Sequence, residues 1–207
     1  MIAIIDYGVG NLFSLAHSLK TVGAEAVVTG DAGTILSADH VVLPGVGAFG
    51  DAAKKLRDTG LDAVVREVAA KGTPVMGICL GMQLLLDVSY EFGEHKGLGL
   101  IPGEVRPIAE VIPEGLKIPH IGWNALDVTQ PHPIFKSVKP GDCVYFVHSF
   151  YGKTDAANVA ATTEYGAPLT AAVARGNVVG CQFHPEKSGD VGLGILKSFC
   201  AWKGADA

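Results

Sequence analysis

Cys79 stands between Gly77 and Gly81, inside a run of fifteen uncharged residues from Gly72 to Leu86. Residues 73–78 have a strand's composition, and a helix pattern follows. A strand that turns sharply into a helix through Gly-x-Cys-x-Gly has the geometry of a nucleophile elbow. The turn strains the central residue, and small neighbours relieve the crowding. The thiol is then held at the carboxyl edge of the sheet, where open α/β folds place their ligands. It also sits at a helix N-terminus, whose unpaired N–H groups favour a thiolate. An unperturbed cysteine, with a pKa of about 8.5, is only slightly ionised at neutral pH and needs such help to attack anything. Glycines around a cysteine serve equally for close packing about a buried structural thiol. Cys79 alone does not separate the two uses.

A nucleophilic thiol needs a base, and residues 181–188, "CQFHPEKS", offer one. Pro185 biases His184 toward an extended conformation. Residues two apart in an extended chain point the same way, so Glu186 can lie beside His184 and orient its imidazole. Cys79, His184 and Glu186 then supply attacker, proton shuttle and orienting carboxylate. Seen alone, the second element reads equally as a strand-end histidine with a solvated glutamate.

The elements that must bring these groups together are legible in outline. "IAIID" (2–6), "AEAVVT" (24–29), "HVVLP" (40–44) and "TPVMGI" (73–78) are short apolar runs. Between them Leu12, Leu15, Ala16 and Leu19 recur at helical spacing, and a helical stretch spans about 48–70. Strands that are apolar throughout fit a parallel sheet covered on both faces. The second half is β-rich with turn punctuation such as Arg175-Gly176-Asn177, and a last helix is expected from about Val191 to Trp202. The expected architecture is a single α/β domain over 1–207, an open, mostly parallel twisted sheet flanked by helices, with an antiparallel insertion around 100–150.

Composition agrees. At 207 residues, 48% apolar and 18% charged, the chain can bury a sizeable core in one domain. A net charge of −5 disfavours a general nucleic-acid or anionic-membrane surface. No run reaches the ~20 apolar residues of a membrane span, and "MIAIIDYG" enters a strand pattern with no leader-like segment. The four cysteines lack framework spacing, which favours free thiols in a reducing cytoplasm. Cys143, Cys181 and Cys200 read as packing residues. His17, His40, His95 and His132 join no constellation. "GVGNLF" departs from a dinucleotide fingerprint at Phe13, and Cys181 and His184 have metal-like spacing without a second pair. No metal and no cofactor are expected.

"PVMGICLGMQLL" and "QFHPEKS" together resemble the class I (triad) glutamine amidotransferases, and "LPGVGAFG" (43–50) completes the set. The resemblance spans essentially the whole chain and implies a flavodoxin-like fold. "DYGVGNLFS", "PHIGWN" (119–124) and "YFVHSFY" (145–151) are similar to the glutaminase subunits of imidazole glycerol phosphate synthase in particular. Triad amidotransferases that feed anthranilate, aminodeoxychorismate or pyridoxal phosphate synthesis share the triad but do not call for "PHIGWN".

The resemblance implies hydrolysis of glutamine to glutamate and ammonia through a thioester on Cys79. His184 accepts the thiol proton and returns it to ammonia, while Glu186 orients His184. The oxyanion needs N–H donors. The resemblance points to the backbone of Leu80 and of Val46 or Gly47, within the flexible "PGVG" of residues 44–47. It places Gly45, Gln83, His148, Ser149 and Phe150 around the substrate. Glu91 matches the acidic partner of the substrate ammonium. The stretch "VSYEFGEHKG" departs from the more acidic family pattern, which leaves Glu94 as a competitor. Ammonia released into water is protonated and lost as a nucleophile, so a separate synthase subunit is expected. By resemblance it is a (β/α)8-barrel cyclase forming a heterodimer through Asn11, Ser14, Lys117, His120, Trp123, Asn124, Tyr145 and Lys187. No nucleic-acid or membrane partner is expected.

Overall fold

The computed structural model describes residues 1–204. In chain order its first half runs β1 (Ile2–Ile5), α1 (Leu12–Thr21), β2 (Ala26–Thr29), α2 (Ala32–Leu36), β3 (His40–Leu43), α3 (Phe49–Asp58), α4 (Leu61–Ala70), β4 (Val75–Ile78) and α5 (Leu80–Leu84). Six strands follow: β5 (Val88–Ser89), β6 (His95–Lys96), β7 (Glu104–Pro107), β8 (His120–Ala125), β9 (Asp127–Val128) and β10 (Cys143–His148). The chain continues through β11 (Phe150–Lys153), β12 (Val159–Glu164), β13 (Pro168–Arg175) and β14 (Val178–Cys181) to α6 (Gly189–Ala201).

An eight-stranded sheet of order β2-β1-β3-β4-β14-β13-β12-β9 organises the molecule. Its first five strands are parallel, and β13, β12 and β9 continue it antiparallel. β1, β3, β4 and β14 are buried at every position, as their runs, apolar apart from His40, require. Period-2 alternation divides them between two cores. Ile2 and Ile4 pack with Leu15 and Leu19 of α1 and Ile195, Leu196 and Phe199 of α6. Ala3 and Ile5 pack with Ile35 of α2, Leu56 of α3 and Val65 of α4 on the other face. No described helix is long and apolar enough to cross a membrane.

Several expectations need correction. The helical stretch over 48–70 is two helices, because Gly60 adopts φ 72° and ends the first. The last helix starts at Gly189, and Trp202 caps it rather than belonging to it. The antiparallel insertion is two separate pieces reaching back to residue 88. One is the ribbon of β8 and β10. The other is a small sheet of order β11-β7-β5-β6, in which β5 and β7 are parallel. Cys143 is exposed rather than packed, since it begins β10 on the outward phase of the alternation. Cys181 is buried as expected, and burial pushes its thiol pKa up.

Candidate active site

β4 delivers Cys79 at its carboxyl end, and α5 starts at the next residue. Cys79 has φ 54° and ψ −111°, a conformation that costs a side-chain-bearing residue on the order of 1–3 kcal/mol. Its surroundings hold it there. Its N–H donates to Cys181 O at 2.7 Å, and Gln83 N donates back to Cys79 O at 3.2 Å. The flanking glycines are required for room. A Cβ on Gly77 would lie 2.6 Å from Gly81 O, and one on Gly81 would lie 1.9 Å from Leu43 O. The elbow is thus present, although the helix after it is only five residues long.

β14 runs parallel to β4 with Cys181 opposite Ile78, so the residues after it arrive beside Cys79. His184 N donates to Tyr145 O at 3.0 Å, which fixes the backbone before the turn. His184 Nδ1 and Glu186 Oε1 are 2.8 Å apart, and both side chains are buried. The contact does not use the extended geometry that spacing suggested. Residues Pro185–Lys187 form a single 3-10 turn, and that turn carries the carboxylate back to the ring. With Nδ1 so engaged, Nε2 is the nitrogen left to hydrogen-bond the Cys79 side chain. Burial pulls the His184 pKa down. The hydrogen bonds to Cys79 and Glu186, with their negative charges, more than reverse this and raise it to about 9. The imidazole therefore keeps its proton at neutral pH.

These groups open on a cavity of about 440 Å³. Ten of the residues expected from the sequence line it: Val46, Gly47, Cys79, Leu80, Gln83, Glu91, His148, Ser149, Phe150 and His184. Gly45 lies just behind, where a Cβ would meet Gly81 N at 2.8 Å. Leu80 opens α5, so its N–H is among those without a partner inside the helix. Gly47 has φ 93°, a region that favours glycine. Glu91 Oε2 accepts from Phe49 N at 2.6 Å, so the first turn of α3 holds this carboxylate at the cavity. Glu94 is exposed and does not line it.

Some contributors were not anticipated. Gln182 Nε2 lies 3.8 Å from Cys79 Sγ, and its Oε1 accepts from Gln83 Nε2 at 3.0 Å. Tyr7 is buried near Cys79 and donates its hydroxyl to Pro44 O at 2.8 Å, bracing the strand end before Gly45. Phe92, highly exposed with φ 53°, closes one side of the cavity with Pro119. Only "CQFHPEKS" held a signal, since Gln182 directly precedes the His184 motif.

Of the residues expected to face a partner, Trp123 is 56% exposed and meets Tyr145 edge-on with ring centroids 5.9 Å apart. Lys187 Nζ lies 5.8 Å from the Tyr145 ring centre. Ile118 and Ile121 are exposed nearby in sequence. Lys117 is exposed, while Asn11 and Ser14 at the start of α1 are half-buried. His120 is buried and Asn124 half-buried, because alternation along β8 turns them inward while Ile121 and Trp123 turn out. They do not share the surface that Trp123 presents.

Residues 3–201 match the family described as Glutamine amidotransferase class-I. The chain is 50% identical over 199 residues to "Imidazole glycerol phosphate synthase subunit HisH" of Lacticaseibacillus casei (strain BL23), covering 96% of this chain and 94% of that one. It is likewise 50% identical over 202 residues to the protein of the same name from Geobacter sulfurreducens, covering 96% and 97%. Among solved structures, a glutamine amidotransferase superposes with TM-score 0.74 at 20% identity, covering 97% of this chain and all of that one. PurLQS from Thermotoga maritima superposes with TM-score 0.73 at 22% identity, covering 97% of each chain.

Proposed function

The chain belongs to the class-I glutamine amidotransferase family, and from that premise we propose how its cavity works and what it serves. It acts as the glutaminase subunit of an imidazole glycerol phosphate synthase, the name its half-identical relatives carry. The observation that carries the reading is the meeting of Cys79, His184 and Glu186 at a cavity that Cys79 and His184 line together with Val46 and Gly47.

Glutamine enters with its side-chain amide toward Cys79. Glu91 faces the substrate ammonium, and the backbone of His148, Ser149 and Phe150 receives the carboxylate end, with Gln83 and Gly45 shaping the floor. Cys79 Sγ attacks the amide carbon. The oxyanion is met by the N–H of Leu80 and by one from Val46 or Gly47. His184 gives its proton to the departing nitrogen, and ammonia leaves with a glutamyl thioester behind. Water, deprotonated by the same imidazole, then attacks the thioester and releases glutamate. Glu186 keeps the ring oriented and its charge compensated throughout.

Ammonia must be consumed before water protonates it. The single type-1 domain of 1–207 therefore docks on a (β/α)8-barrel cyclase in a cytoplasmic heterodimer. The cyclase converts a phosphoribulosyl-formimino-carboxamide ribonucleotide (PRFAR) to imidazole glycerol phosphate and an aminoimidazole carboxamide ribotide (AICAR), in histidine biosynthesis. Trp123 and Tyr145 anchor the interface, where large aromatics often carry the binding energy. Lys117, Lys187, Asn11 and Ser14 line its edge, and His120 and Asn124 support it from within.

A glutamine-analogue electrophile should label Cys79, and wild-type chain with cyclase and nucleotide should hydrolyse glutamine. Cys79→Ala should lose both the adduct and at least ~10⁴-fold of the rate, as removal of a triad nucleophile does. A chain with no adduct at Cys79 would end the glutaminase reading. Normal hydrolysis without coupling to a co-purifying cyclase would end the synthase assignment alone.

A further inference from the structure

Two buried histidines connect the cavity to the β8–β10 ribbon, and the triad chemistry does not use them. His148 ends β10 and lines the cavity, with Nδ1 2.8 Å from the Phe150 carbonyl oxygen. Its Nε2 lies 3.0 Å from Nδ1 of His120, the first residue of β8. His120 Nε2 is 2.8 Å from Asn124 Oδ1, and Asn124 Nδ2 donates to Glu164 O at 2.9 Å. That last bond fixes the amide. Turning it over would set Oδ1 against another carbonyl oxygen and Nδ2 against a ring nitrogen that already faces it as a donor.

The hydrogens along this chain can be counted. The oxygens at both ends only accept, so His148 Nδ1 and His120 Nε2 each carry one. The contact between the rings requires a third. Two neutral imidazoles hold two. A neutral pair leaves one contact with lone pairs face to face between two buried side chains. We infer that His120 and His148 share one excess proton, which positions the Phe150 wall of the glutamine pocket and ties it to β8. The positioning half rests on the glutaminase reading, whereas the shared proton does not.

A second observation places the charge on His120. Its ring stacks on Tyr165 with centroids 4.0 Å apart and planes 21° from parallel, and on Phe146 at 5.0 Å and 20°. An aromatic face within about 6 Å attracts a cation. His148 meets Phe146 only at a 44° tilt, 5.7 Å away. Burial opposes charge on either ring and is the largest influence on both. On His120 the Asn124 hydrogen bond works against it without reversing it, so the net direction is downward there too. His148 is brought down to about 4, first by burial, which the Phe150 hydrogen bond offsets, and then by the charges of His120 and His184. The charged groups facing the pair are the rings themselves and His184. Tyr165 directs its hydroxyl away, to Lys117 O.

The consequence lies at Phe150. Its carbonyl oxygen also accepts from Gln83 Nε2 at 3.1 Å, and Gln83 bonds Gln182 beside the Cys79 sulfur. Two donors thus hold one oxygen at the pocket wall, and one of them belongs to the pair that shares the proton. Loss of that proton as pH rises breaks a link between the wall and Asn124.

Nitrogen NMR of the full-length chain with ring-¹⁵N histidine distinguishes protonated from bare ring nitrogens. At neutral pH three of the four nitrogens of His120 and His148 should carry hydrogen, and in Asn124→Ala two should. Without the amide acceptor, a neutral pair satisfies both remaining contacts. Two protonated nitrogens in the wild type overturn the proposal, as do three in Asn124→Ala. For the positioning half, the glutamine Kd of Cys79→Ala is followed against pH. It should weaken about fivefold, the worth of one ordinary hydrogen bond, where the nitrogen signals change. It should stay flat in Cys79→Ala/Asn124→Ala, and a Kd that ignores the pair's titration overturns the positioning. The spectrum needs no glutamine, so its failure is distinct from failure of the glutaminase reading.

Discussion

The two sides of the cavity use glycine for opposite reasons. On the Cys79 side everything is crowded. Cys79 and His184 are 8% and 2% exposed, and a Cβ on Gly81 would overlap the Leu43 carbonyl oxygen at 1.9 Å. On the Val46–Gly47 side the chain is open. Val46 is 44% exposed, and a Cβ on Gly47 would meet nothing within 4 Å. Gly81 is needed for room, and Gly47 for its φ of 93°. Cys79 is therefore positioned by packing, which makes its geometry inseparable from the fold. The Val46–Gly47 side is positioned by backbone torsion, which can change without disturbing the core.

Gly81→Ala should have the largest effect. Overpacking a core costs typically about 1–3 kcal/mol, and more when the obstacle is backbone rather than a movable side chain. The added methyl must displace either the end of β3 or the start of α5, so a loss of at least about 3 kcal/mol is expected in urea denaturation. Stability close to wild type would show that the elbow is loosely packed after all and would dissolve the contrast.

Glu186→Gln tests the crowded side without changing its volume. The His184 pKa is raised to about 9, against burial, by its hydrogen bonds to Cys79 and Glu186 and by their charges. A raised value in the folded state stabilises the protein fully below the unfolded histidine value of about 6.5, and that contribution is lost as pH rises through the folded value. Removing the carboxylate charge lowers the folded value, so the window should narrow from its alkaline end. The alkaline limb of the glutaminase rate should move to lower pH with it. The amide can also present N–H to Nδ1 and select the wrong tautomer, so kcat should fall on the order of 10⁴-fold. An unmoved limb would mean that Glu186 does not set the charge on His184.

What could be read beforehand follows the same division. Cys79 with Gly77 and Gly81, and His184 with Glu186, are local patterns, and their sharp turn and their pairing were legible. Even there the route differed, since a 3-10 turn rather than an extended strand joins His184 to Glu186. That β1, β3 and β4 lie in a parallel sheet was legible because their runs are apolar apart from His40 at the start of β3. The ribbon and the small sheet were less so, because two-residue strands such as β5 and β6 exist only through distant pairing. His120 and Asn124 looked like neighbours of Trp123 until the register of β8 on β10 turned them inward. Gln182 and Tyr7 approach Cys79 from just beyond the ends of two separate strands, β14 and β1, and for Tyr7 no spacing reveals it. Glu91 prevails over Glu94 at the cavity through one bond from Phe49 N, forty-two positions away.

Gly47→Ala is the smallest perturbation and the most discriminating. The open space leaves no clash, so the cost to stability is that of forcing a left-handed φ on alanine, about 1 kcal/mol. Where the chain is free to relax instead, the φ shifts and the cost is smaller still. It is this relaxation that turns the N–H groups beside residue 47. Loss of one oxyanion donor typically lowers kcat about 10²–10³-fold, because the interaction exists only once charge has formed on the substrate oxygen. Glutamine KM should change little, since the ground-state amide does not depend on that donor. A kcat loss of this size with nearly native denaturation would establish that torsion alone governs this side. A proportionate fall in stability and activity would place Gly47 in the same packed unit as Gly81, and the two walls would be one.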